Sequence, residues 1–171
     1  MIEVETDVGS MWTGSPADWS TLADTAVRTA VAMSPFRSLI EKEVAIEVSV
    51  KLTEDDEVQA LNASYRNKDA PTNVLSFPMV QRDLLDGINP GDGDAETLLG
   101  DIVLARGVCE REAADKGVDM ATHATHLIVH GTYHLLGYDH MADAEAENME
   151  QMERDALAAL GIADPYAVEE A

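Results

Sequence analysis

The chain has 171 residues, 46% of them hydrophobic and 26% charged, and its eleven Lys and Arg face 33 Asp and Glu for a formal net charge of −22. That length suits a single domain of about 100–200 residues, and no apolar run nears the roughly 20 residues that span a bilayer, so no membrane partner is expected. The charge speaks against nonspecific binding of nucleic acid over the whole surface, DNA included, while leaving room for a local basic groove.

Cys109 is the single cysteine, so an internal disulfide is excluded. The start Met1-Ile2-Glu3-Val4-Glu5 is acidic and alternating, unlike a signal or transit peptide, and the expected location is the reducing cytoplasm.

Ile2, Val4, Thr6 and Val8 alternate as a half-buried strand would. Residues 19–33 read as a helix, with Leu22, Ala23, Ala26, Val27, Ala30 and Val31 on its apolar side and Pro35 beyond it. Val44, Ile46, Val48 and Val50 mark a second strand over 43–52. Thr53 then suits an N-cap, followed by Glu54, Asp55 and Asp56 against the helix dipole, and the helix should run to about Tyr65. A short third strand over 74–77 stops at Pro78. The stretch 81–97, rich in Gly, Asp and Asn, reads as a mobile loop. A fourth strand over 98–105 and helices at about 108–116, 120–136 and 142–160 follow. Nine acidic residues against Arg154 alone make 141–171 an acidic helix and tail, read as a solvated face. The expected fold is one α/β (α+β) domain over 1–171, a small mixed four-stranded sheet with packed helices and a metal site on a helix of the C-terminal half.

All five histidines fall between His123 and His140. His130-Gly131-Thr132-Tyr133-His134-Leu135-Leu136-Gly137-Tyr138-Asp139-His140 has the spacing HxxxHxxGxxH. Residues four apart share a helix face, Gly137 can end the helix, and the returning chain can bring in His140. Three neutral imidazoles with an open fourth position suit a catalytic zinc. Such an ion polarises a phosphoryl or carbonyl oxygen and lowers the pKa of bound water to about 7. His126 reads either as a support to this site or substrate contact, or as a satisfied, partly buried histidine, and His123 as a surface residue. Asp139 is either an orienting partner for an imidazole or a local turn acceptor. Zinc proteases of related spacing carry a glutamate after the first histidine as general base. Here that place holds Gly131, so peptide hydrolysis becomes a minor alternative.

The run from His126 to His140 closely resembles the signature of the YbeY family of bacterial metal-dependent endoribonucleases. The stretches Leu61-Asn62-Ala63-Ser64-Tyr65-Arg66-Asn67-Lys68-Asp69-Ala70-Pro71-Thr72-Asn73-Val74-Leu75-Ser76-Phe77-Pro78 and Leu99-Gly100-Asp101-Ile102-Val103-Leu104 carry the same likeness, which covers roughly residues 40–160. The resemblance implies one Zn2+ per chain on His130, His134 and His140, and a functional arginine at Arg66. Lys68 beside it is assigned no role. A guanidinium there would meet the negative charge that builds on a phosphodiester under attack. Asn73 and Ser76 read as turn and strand residues, and Asp101 as a loop support. The implied activity is single-strand cleavage in ribosomal RNA maturation, namely 16S rRNA 3′-end processing, and ribosome quality control. The implied partners are the precursor RNA, the small subunit and possible assembly proteins. The rival readings are a zinc hydrolase of another substrate class and a noncatalytic, metal-braced assembly factor.

Overall fold

The computed structural model describes residues 1–13, 17–88, 96–139 and 143–166. Strands β1 (Ile2–Val8), β2 (Ala45–Thr53), β3 (Val74–Pro78) and β4 (Glu96–Ala105) form one sheet in the order β1-β2-β4-β3. The first three neighbours run parallel, and β3 lies antiparallel on the edge, with Ser76 opposite Ile102. The helices are α1 (Trp19–Ala32), α2 (Ser38–Glu41), α3 (Asp55–Arg66), α4 (Arg106–Lys116), α5 (Met120–Leu135) and α6 (Asp143–Ala159). The expected mixed α/β architecture is therefore the observed one.

The period-two pattern of β2 explains the main core. Ile46, Val48, Val50 and Leu52 all point to one face and are buried in the same cluster as Val27 and Val31 of α1 and Ile128 of α5. A smaller cluster under α3, of Val58, Leu75, Val103 and Ala105, fills part of the opposite face. α5 lies in the middle of the molecule, with eleven of its sixteen residues buried.

Two local expectations are corrected. Thr53 is not the N-cap of α3: it closes β2, its hydroxyl donates to Glu57, and Glu54 takes the cap position. Asp55 lies in the first turn of α3 as expected and also caps a different helix. Its Oδ1 accepts from the backbone N–H of Gly107 and Val108 at 2.8 and 3.2 Å, supplying the first turn of α4, which follows β4 without a loop. The stretch after Gln81 is not a plain loop either. Arg82–Gly87 form a 3-10 helix, Leu85 is fully buried in the core, and β4 starts at Glu96. The remainder of the expected loop, 89–95, lies outside the described residues.

Candidate functional site

α5 begins at an Asp119 cap, whose carboxylate accepts from Thr122 N–H at 2.7 Å. It ends as the glycine predicts. Gly137 has φ +90, its N–H donates to His134 O, and Tyr138 N–H donates to Tyr133 O, a Schellman turn. The turn folds the chain back over its own last residues. As a result the Tyr138 carbonyl accepts from His134 Nδ1 at 2.9 Å. Arg82 holds the outside of the turn, its guanidinium 4.2 Å from the centre of the Tyr138 ring.

One turn earlier, His130 Nδ1 lies 3.0 Å from Oε1 of Glu153, a buried carboxylate on α6. Burial pushes the Glu153 carboxyl up, but hydrogen bonds from His126 and His130 outweigh it and hold it at about 2. An ionised carboxylate and a carbonyl can only accept. Both Nδ1 atoms therefore carry the proton, and both Nε2 atoms present lone pairs. Those two Nε2 atoms lie 3.0 Å apart. Two lone pairs so close repel unless a cation comes between them, so the pair is chemically suited to hold a metal ion. Among the described residues no third His, Cys, Asp or Glu joins them in a metal-binding group. The expected third ligand, His140, lies outside the described residues.

His130 and His134 open into a cleft of about 600 Å³. Arg66 and Lys68 reach the same cleft from the end of α3, and Thr72, Asn73, Ser76 and Pro78 line it from the loop and β3. The loop is shaped by Asn67 in the left-handed region, by Lys68 N–H donating to Asn62 O, and by buried Asn62 donating to Ala70 O at 2.8 Å. Asn73 is more than a turn residue: its Nδ2 donates to Glu112, which also pairs with His123 Nε2 at 2.8 Å. Asp101 sits on β4 as expected, opposite Phe77.

Gly131 packs against the sheet. A Cβ there would stand 3.0 Å from Ile102 Cγ2 and 3.1 Å from Ser76 Oγ, so a side chain at the position of a protease base must push Ile102 and Ser76 aside. Cys109 offers no nucleophile, since burial pushes its thiol up to about 12.

Two sequence expectations need revision, those for His123 and for the acidic run. His123 is 3% exposed, not a surface residue. His126 is buried, with Nε2 turned to Glu153, within the readings that the sequence left open. Asp139 lines the cleft, and the Nδ1 partners of His130 and His134 are Glu153 and Tyr138; the expected link of Asp139 to His140 falls outside the described residues. The acidic run is not wholly solvated, because Glu153 is 1% exposed. Its signal was in the sequence: Met149, Met152, Glu153, Ala156 and Leu157 are the buried stripe of α6, and one member of that stripe is an acid.

Residues 15–161 match the family described as Endoribonuclease YbeY. The chain belongs to that family. The Endoribonuclease YbeY of Rhizorhabdus wittichii is 59% identical over 170 residues, covering 99% of each chain. That of Sphingopyxis alaskensis is 54% identical over 167 residues, covering 98% of each. Among solved structures, the solution structure of TM1509 from Thermotoga maritima shares the fold, with a TM-score of 0.53 at 21% identity, over 94% of this chain and 91% of that one. Likeness to YbeY proteins thus extends well before residue 40, where the resemblance read from the motifs begins. Among the described residues no helix is long and apolar enough to cross a membrane.

Proposed function

We propose that this protein is a zinc-dependent endoribonuclease that cuts single-stranded segments of ribosomal RNA precursors in the cytoplasm, serving 16S rRNA 3′-end maturation and ribosome quality control. The observation that carries the reading is the cleft in which Nε2 of His130 and of His134 meet at 3.0 Å, with Arg66 and Lys68 on its wall. Membership in the Endoribonuclease YbeY family supports RNA as the substrate.

His130, His134 and His140 would hold one zinc ion through neutral imidazoles. Bound there, the ion would supply a Lewis acid and lower the pKa of water. The protein's own groups do the positioning. Glu153 and the Tyr138 carbonyl keep the Nδ1 protons in place. The Arg66 guanidinium offers paired N–H donors to the non-bridging oxygens of a phosphodiester. Gly131 stands where peptide hydrolysis would use a carboxylate and is packed tightly against Ile102 and Ser76, which favours phosphodiester chemistry. At −22 the surface repels an RNA backbone outside the cleft, so binding is local and the small subunit or an assembly protein presents the strand.

The test is metal-titrated cleavage of a small-subunit ribosomal RNA precursor by the native protein, Arg66→Ala and His134→Ala. His134→Ala should lose zinc and cleavage together. Arg66→Ala should retain zinc and lose cleavage by about 100-fold or more. Unchanged cleavage in both variants would refute the catalytic reading and return the protein to a metal-braced assembly factor. Cleavage of peptides with RNA left intact would favour another class of hydrolase.

A further inference from the structure

The C-terminal segment reaches the metal-facing histidines through one buried carboxylate. α6 ends in a second Schellman turn, with Gly161 N–H donating to Ala158 O and Ile162 N–H to Leu157 O. The turn sends the chain back along α6. Asp164 then accepts from Arg154 Nε at 3.1 Å and from Tyr166 N–H at 2.8 Å, and the Arg154 guanidinium lies 5.4 Å from the centre of the Tyr166 ring. This strap delivers the Tyr166 hydroxyl to Glu153, 3.0 Å from Oε1 and 3.1 Å from Oε2.

Glu153 thus takes three donors: His126 Nε2 at 3.1 Å, His130 Nδ1 at 3.0 Å and Tyr166 OH. Each donor limits where the carboxylate can sit. His126 lies one helical turn before His130, so the two rings approach the same Oε1 from neighbouring steps of α5. Tyr166 approaches both oxygens from the strap. With no more than 1% of Glu153 exposed, water cannot replace a lost donor easily.

We propose that Glu153 and Tyr166 are positioning residues that fix the tautomer and ring orientation of His130, making the strap after α6 part of the support of the metal site. Glu153 keeps the proton on His130 Nδ1 and so leaves Nε2 as the ligand atom. Tyr166 prevents the carboxylate from rotating away from the imidazole. The proposal rests on the metal-binding reading above, and its test separates the two.

Zinc affinity is measured by chelator competition for the native protein, Glu153→Gln, Tyr166→Phe and the exposed control Glu147→Gln. Alongside it, the thermal midpoint of each metal-free protein and the His130 tautomer by ring-nitrogen NMR are recorded. Glu153→Gln should bind zinc about 10- to 100-fold more weakly. Tyr166→Phe, which keeps the ring and removes only the hydroxyl, should lose about 5- to 10-fold with its midpoint nearly unchanged. Glu147→Gln should match the native protein. In metal-free native protein His130 should be protonated on Nδ1, and in Glu153→Gln the Nε2-protonated form should appear. Zinc affinity in Tyr166→Phe and Glu153→Gln within about twofold of native would overturn the proposal while leaving the metal reading intact. A native protein that takes up no zinc would overturn both.

Discussion

Glutamate in place of Gly131 would recreate the His-Glu pair used by zinc proteases, and the fold should not tolerate it. A Cβ at this position meets Ile102 Cγ2 at 3.0 Å, Ser76 Oγ at 3.1 Å and Ile102 Cγ1 at 3.3 Å, where α5 presses on β3 and β4. Alanine alone gains about 1 kcal/mol in helix propensity and loses about 1–3 kcal/mol to overpacking, for a net loss of up to about 2 kcal/mol. Glutamate adds the burial of an unpaired carboxylate on the same face, bringing the total to about 4 kcal/mol or more. At roughly 2–4 °C per kcal/mol for a chain of this size, the thermal midpoint should fall by about 10 °C or more. Thermal and urea unfolding of the native protein, Gly131→Ala and Gly131→Glu give the comparison, with peptide cleavage recorded for each. The expected order is native, then alanine slightly below, then glutamate far below, with no peptidase activity gained. A glutamate variant with the native midpoint would refute the claim that packing works against a side chain at this position.

Two further outcomes follow from the network around the cleft. Asp55→Ala removes the cap of α4 together with an exposed ion pair to Arg111 that adds little. Its urea midpoint should drop by an amount equivalent to about 1–2 kcal/mol, and a change no larger than that of an exposed Asp115→Ala control would contradict the capping role. His123 also links stability to pH. Burial lowers its pKa from 6.5, against the opposing pull of the Glu112 hydrogen bond, with His126 and Lys116 adding to the lowering. Above pH 6.5 both folded and unfolded forms are neutral and stability is complete; as pH falls toward the lower folded value, only the unfolded chain gains the proton and stability is lost, at up to about 1.4 kcal/mol per pH unit. The urea midpoint should therefore fall between pH 7 and 5.5 more steeply in the native protein than in His123→Gln, and equal slopes would exclude His123 as the source.

Much of the molecule was legible from contiguous residues. The alternation in β2 predicts a one-sided strand because successive side chains leave opposite faces of a pleat. The four-residue step from His130 to His134 predicts a shared helix face, and Gly137 predicts the turn that follows, because only a residue tolerant of positive φ closes a Schellman motif cheaply. Each of these is decided within one or two turns of chain, so local stereochemistry suffices.

The rest depends on how the elements pack. The sequence places an acid in the apolar stripe of α6, but only the seating of α6 on α5 brings Glu153 to His130 across 23 residues. Asp55 looks like a favourable charge for its own helix, yet the parallel arrangement of β2 and β4 puts the start of α4 beside it, where unsatisfied N–H groups compete for its oxygen. Gly131 reads as a missing base; the approach of α5 to Ile102 and Ser76 makes it a packing requirement. Sequence by itself determined the four strands, the five longer helices, the glycine turn and the pair of histidines on one face, but not the short α2 or the 3-10 turn at Arg82–Gly87. The tertiary structure alone decided which carboxylate meets His130, which histidines are buried and which side of α5 presses on the sheet, because those contacts join residues whose separation along the chain carries no local signal.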